Sequence, residues 1–187
     1  MNRATPSDSA RLFLALCPGR AVQGALAAHA KDWHWNPDAA RYAAADWHVT
    51  LHFIGAVPRP RIDALRAGLD VPLMPFELRF GQPALWPHGL AVLLPMALPV
   101  ALQQLHDQLG QRLRQLELRT DERPYRPHLT LARRAGAARP PTQWPAWGWQ
   151  VQGYALMEST GETEPGGQRY RVLQQYGAPD AADALRP

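Results

Sequence analysis

The sequence predicts an α+β protein whose sheet is mostly antiparallel. Three observations carry that prediction. Short apolar runs of strand-forming residues recur along the chain. Stripes of helical period separate some of them. One short polar pattern also occurs twice, at corresponding places of the two halves, 80 residues apart. With 187 residues and 46% apolar content, the chain suffices for one domain with a real core.

The elements follow in order. "RLFLALCP" (Arg11 to Pro18) is apolar, compatible with a strand and stopped by proline. Gly19 to about Trp35 is rich in alanine and free of proline, as a helix requires. "WHVTLHFIG" (Trp47 to Gly55) is a strand that Gly55 and Pro58 end. Ile62, Leu65 and Leu69 line one helix face. "FELRF" (Phe76 to Phe80) alternates as a strand does, and "LAVLLP" (Leu90 to Pro95) is a more buried strand. "WPHG" between them supplies turn residues. Leu102, Leu105, Leu109, Leu113 and Leu116 form the strongest helical stripe. "HLTLAR" is a strand, "RPPTQWPAWGW" (Arg139 to Trp149) a Pro/Trp loop, and "VQGYALMES" with "RYRVLQQY" a closing antiparallel pair around "TGETEPGGQ".

Composition narrows the function. The net charge of +4 points weakly to an anionic partner. Lys31 is the only lysine, so the basic side chains are otherwise arginines, which bind phosphate oxygens bidentately. The single cysteine, Cys17, excludes an internal disulfide and a cysteine-based zinc site, and it reads as a core residue. The N-terminal apolar run is too short for a signal peptide, and no run is long enough to cross a membrane. A cytoplasmic, monomeric protein is expected.

The repeated pattern is His-x-Thr. Strand alternation puts His48, Thr50 and His52 on one face, with Val49, Leu51 and Phe53 on the other. It likewise puts His128 and Thr130 opposite Leu129 and Leu131. Each segment then has one core face and one polar face. A single such strand reads as a wet sheet surface, but a matched pair does not. Metal binding fits poorly. On a strand His48 and His52 lie about 13 Å apart, at about 3.3 Å per residue, too far to share one ion. No acidic or thiol ligand sits in either motif, so neither metal nor cofactor is expected. Two imidazoles on one groove suit acid–base chemistry instead, since one can be neutral while the other is protonated. A phosphodiester needs an activated nucleophile and a protonated leaving group. Threonine hydroxyls can donate to its non-bridging oxygens.

"HVTL" and "HLTL", with "RLFLAL", "WHVTLHFIG", "RPHLTLAR" and a late "LMEST…G..Y.VL", resemble the two-histidine phosphoesterases. The similarity is to their RNA 2′,3′-cyclic phosphodiesterase branch, also called 2′-5′ RNA ligase-like, and it runs from about Arg11 to Tyr176. The resemblance implies a bilobal α+β fold in which two antiparallel sheets form a central cleft with helices outside. It implies one two-lobed domain over 1–187, with short flexible ends at about 1–9 and 178–187. It also implies that His48 protonates the departing 3′ oxygen and His128 activates water, leaving a 2′-phosphate without a metal. The order of donor and acceptor rests on that analogy alone. Thr50 and Thr130 would hold the phosphate. The expected partners are RNA ends or nucleoside 2′,3′-cyclic phosphates.

Three further substrate contacts are expected. Arg133 matches a basic position of the family, yet strict alternation puts it on the face opposite His128, so a strand end, a bulge or its length has to bring it round. Arg126 is on the favourable face, although Pro127 interrupts pairing there. Phe13 is placed to stack on a base or to pack in the core. His52 reads as a residue of the outer cleft or a solvated one, and Ser159 as a turn residue. Two other functions stay open: 2′-5′ ligation of RNA ends by the same histidines, and a nucleotide-binding module without chemistry.

Overall fold

The structure is a computed structural model, and it describes residues 8–121, 123–143, 146–161 and 169–178. Most of the sequence-predicted turn over "TGETEPGGQ", part of the Pro/Trp loop and most of both ends lie outside them.

Nine strands and three α-helices are present among the described residues. The strands are β1 (Ser9–Leu16), β2 (Ala40–Arg41), β3 (Val49–Pro58), β4 (Phe76–Trp86), β5 (Leu90–Pro95), β6 (Leu129–Arg133), β7 (Trp147–Val151), β8 (Gly153–Ser159) and β9 (Tyr170–Gly177). The helices are α1 (Arg20–Lys31), α2 (Ile62–Gly68) and α3 (Val100–Gln115). Pairing is antiparallel throughout, in the order β7-β4-β5-β6-β3-β1-β8-β9, with β2 on β6. Each half contributes four strands of this path. β3 and β6 lie at the centre, joined by one registered pair among the described residues, Val49 with Leu129.

One continuous core lies on one side of this sheet. Leu12, Leu14 and Leu16 of β1 enter it at alternate positions, as do Phe76, Leu78 and Phe80 of β4. Leu102, Leu105, Leu109 and Leu113 of α3 close the same core. The helices therefore cover the face opposite the one that bears the histidines. None of the described helices is long and apolar enough to cross a membrane.

Four departures from the sequence expectation have local causes. Helix α1 stops at Lys31 instead of running to Trp35, because His34 pairs with Arg139 as an isolated bridge. There Trp35 Nε1 donates to the Ala30 carbonyl at 2.9 Å, satisfying one of the helix's orphan acceptors. Strand β4 continues to Trp86, past Pro83, through an irregularity at Gly81. Part of the expected Pro/Trp loop is strand β7, because Trp149 and Val151 alternate into the core and β4 offers an open edge. The two-residue β2 leaves no periodicity to read.

Candidate active site

The two His-x-Thr segments meet where β3 and β6 cross. Val49 and Leu129 are register partners and fully buried. Antiparallel pairing at that point sets Thr50 beside His128 and His48 beside Thr130, with all four side chains on the face opposite the core. These four line one cleft of about 600 Å³, together with Phe13, Arg133, Tyr42 and Tyr170.

Both motifs carry the same irregularity. In the β1–β3 register Ala15 faces Thr50 and Leu14 faces His52, so Leu51 has no partner. In the β5–β6 register Val92 faces Thr130 and Ala91 faces Ala132, so Leu131 has none. Each strand bulges at the leucine after its threonine, and both leucines are buried. A bulge inverts the alternation beyond it. That inversion brings Arg133 onto the cleft, resolving the difficulty posed by strict alternation. It also corrects the reading of the first strand. Phe53 faces outward, 66% exposed, at the cleft lip, whereas His52 turns inward and is 4% exposed. The His52 ring stacks on His106 at 4.1 Å, and its Nε2 lies 2.8 Å from the His106 carbonyl.

Each cleft histidine is held by the carbonyl two residues before it. His48 Nδ1 lies 2.7 Å from the Asp46 carbonyl, and His128 Nδ1 lies 2.9 Å from the Arg126 carbonyl. A carbonyl only accepts, so both Nδ1 atoms carry hydrogen and Nε2 is the nitrogen left to exchange a proton. The Asp46 carbonyl is presented by a 3-10 turn over Ala44–Asp46. That of Arg126 is presented by the Arg-Pro step, where proline keeps the preceding residue extended.

The surroundings set the imidazole basicity. Burial pushes the His48 imidazole below its ordinary value; the Asp46 carbonyl opposes this and the charge of His128 adds to it. Burial likewise lowers His128, its bond to the Arg126 carbonyl opposes this, and the Arg126 guanidinium adds to the lowering. Phe13 and Tyr170 pack on His48, each with its ring centroid 5.0 Å away, and Trp86 packs on His128 at 4.5 Å.

Of the other sequence-predicted contacts, Phe13 is 4% exposed and packs under His48 at the cleft floor. Arg126 does not line the cleft that holds both histidines. Its guanidinium lies over Trp86, 5.0 Å from the ring centroid, in an adjoining compartment. Ser159, read as a turn residue, ends β8 and lines the cleft. Cys17 has its thiol pushed up to about 12 by burial, beside Met157.

Sequence reasoning missed Tyr42, Asp46, Trp86 and Tyr170. Two guanidiniums approach the Tyr42 ring, Arg169 at 5.0 Å and Arg133 at 5.9 Å from its centroid. The Asp46 carboxylate approaches Arg169 Nε at 3.5 Å. These residues lie outside the repeated motif, and only the turn residues around Trp86 marked a position.

The 2′-5′ RNA ligase superfamily model matches residues 22–163. The RNA 2′,3′-cyclic phosphodiesterase of Escherichia coli (strain K12) is 31% identical over 159 residues, covering 82% of this chain and 86% of that protein. The crystal structure of E. coli LigT complexed with 3′-AMP has 26% identity and a TM-score of 0.77, covering 90% of this chain and 98% of that one. LigT complexed with phosphate has 26% identity and a TM-score of 0.69, covering 91% and 98%.

Proposed function

The chain belongs to the 2′-5′ RNA ligase superfamily, and from that membership we propose that it hydrolyses 2′,3′-cyclic phosphate ends of RNA or nucleotides to 2′-phosphates. His48 is the proton donor and His128 the proton acceptor. The observation that best supports this reading is the crossing at Val49 and Leu129. It presents two imidazoles, each with Nδ1 engaged, and two threonine hydroxyls to one cleft.

In the proposed cycle His48 begins protonated and His128 neutral. Water attacks phosphorus while His128 Nε2 takes its proton. The bond from phosphorus to the 3′ oxygen breaks, and His48 Nε2 protonates that oxygen. The products are a 3′-hydroxyl and a 2′-phosphate. Exchange with solvent restores both histidines. Thr50 and Thr130 donate to the non-bridging oxygens, and Arg133 adds a positive charge at the cleft edge. The site residues perform every proton transfer themselves, and no step of the proposed cycle calls on a metal.

Two features make this division of labour reasonable. A charged His128 disfavours charge on His48, which opposes both imidazoles holding a proton at once. Both lie in an apolar frame of Phe13, Trp86 and Tyr170, where the interaction with a phosphate is stronger than in water. The test is to incubate the protein with a nucleoside 2′,3′-cyclic phosphate in EDTA and separate the product isomers. The 2′-phosphate is expected; no turnover, or the 3′-phosphate alone, overturns the proposal.

A further inference from the structure

A second compartment opens beside the histidine cleft. Its volume is about 520 Å³, and it shares Thr50, Phe53, Trp86, Arg123 and His128 with the first. Each compartment alone has the size of a pocket for one drug-sized molecule, roughly 300–1,000 Å³. Together they offer more room than one mononucleotide needs.

The second compartment has its own surfaces. Trp86 is half-buried, with the Arg126 guanidinium on its ring. Phe53 stands exposed on the ridge between the compartments. Tyr125, His106 and His52 form a stack with centroids 4.1 Å apart at each step, and the Tyr125 hydroxyl fixes that stack by donating to the Thr50 carbonyl at 3.2 Å. Asp121 is the acidic member of the wall. Its charge is matched by Arg123, whose Nε lies 2.9 Å from the carboxylate, and that pairing holds the carboxyl at about 2. The exposed Phe53 ring and the Trp86–Arg126 pair suit a splayed, single-stranded base and its phosphate.

We infer that this compartment receives the nucleotide immediately 5′ to the reacting end. The preferred substrate is then an RNA end of at least two nucleotides, and a free cyclic mononucleotide is a minimal one. The inference rests on the proposed cyclic-phosphate chemistry. Arg126 is the residue through which it is tested, because its carbonyl serves His128 while its side chain serves the neighbouring nucleotide. Replacing the side chain leaves the carbonyl in place.

The experiment compares kcat/KM for a dinucleotide and a mononucleotide, both ending in a 2′,3′-cyclic phosphate, in the native protein and in Arg126→Ala. The native protein is expected to favour the dinucleotide by about tenfold or more, the scale of one stacked base. Arg126→Ala is expected to lose most of that preference. A native ratio near one overturns the inference while leaving the proposed function intact. A ratio unchanged in Arg126→Ala overturns the assignment to this compartment. Hydrolysis of neither substrate overturns the proposed function, and the inference with it.

Discussion

Val49 and Leu129 pair across the centre of the molecule, and that pair is what makes one site of two motifs. Each is the middle residue of its His-x-Thr, and each points into the core at 0% exposure. Their antiparallel register relates the motifs by a local two-fold, so each histidine neighbours the other motif's threonine. The core contact and the site geometry are therefore one feature. Neither half of the chain carries the site alone.

Replacing Leu129 with alanine should lower stability by about 2–5 kcal/mol, the usual cost of emptying a buried leucine site. Because the cavity lies directly behind the histidines, turnover should fall even below the melting temperature. Denaturant unfolding of the variant checks the first expectation, and a rate measured in the folded baseline checks the second.

The threonines should act on the charge of the phosphate. Thr50→Val or Thr130→Val keeps the shape and removes the hydroxyl donor. Each should lower kcat/KM by about 10- to 100-fold, in line with a hydrogen bond to a charged group of ~1.5–3 kcal/mol. Steady-state kinetics on a cyclic nucleotide decides this. A variant as fast as the native protein would remove that threonine from the phosphate site.

The donor and acceptor can be told apart by the leaving group. A 3′-deoxynucleoside 2′-(4-nitrophenyl phosphate) releases nitrophenolate, which needs no proton. His48→Ala should keep most of its activity on this ester while losing ~10²–10⁴-fold on a cyclic phosphate. His128→Ala should lose activity on both. The opposite pattern would exchange the two roles.

Stability should fall as the solution is acidified through the histidine range. Burial lowers His29, His48, His52, His106 and His128 below the ordinary value of 6.5. A histidine whose folded value is depressed binds its proton more readily when unfolded, so lowering the pH below about 6.5 favours unfolding. Thermal midpoints at pH 7.5 and pH 5.5 check this. The lower pH should give the lower midpoint, and equal midpoints would contradict the burial of these rings.

The sequence displays the chemistry more plainly than the geometry. The His-x-Thr pair, the strands that carry it and the α3 leucine stripe can all be read from residue type and period. The bulges at Leu51 and Leu131 cannot, because a leucine in a bulge has the composition of a leucine in a regular strand. That is why Phe53 and His52 are exchanged between faces in the sequence reading, and why Arg133 seems misdirected. Tyr42 and Tyr170 reach the cleft only through tertiary pairing, since Tyr42 N donates to the Leu131 carbonyl and Tyr170 lies at the start of β9. Strand β7 hides in a Pro/Trp segment because its partner β4 lies about 70 residues earlier.

The central claim is that both histidines act on one phosphate. The most direct measurement is the single-turnover rate on a nucleoside 2′,3′-cyclic phosphate in EDTA, for the native protein, His48→Ala and His128→Ala, each shown to be folded. The account predicts turnover by the native protein with the chelator present and a loss of ~10²–10⁴-fold in each variant. Native-like turnover in either variant would contradict it.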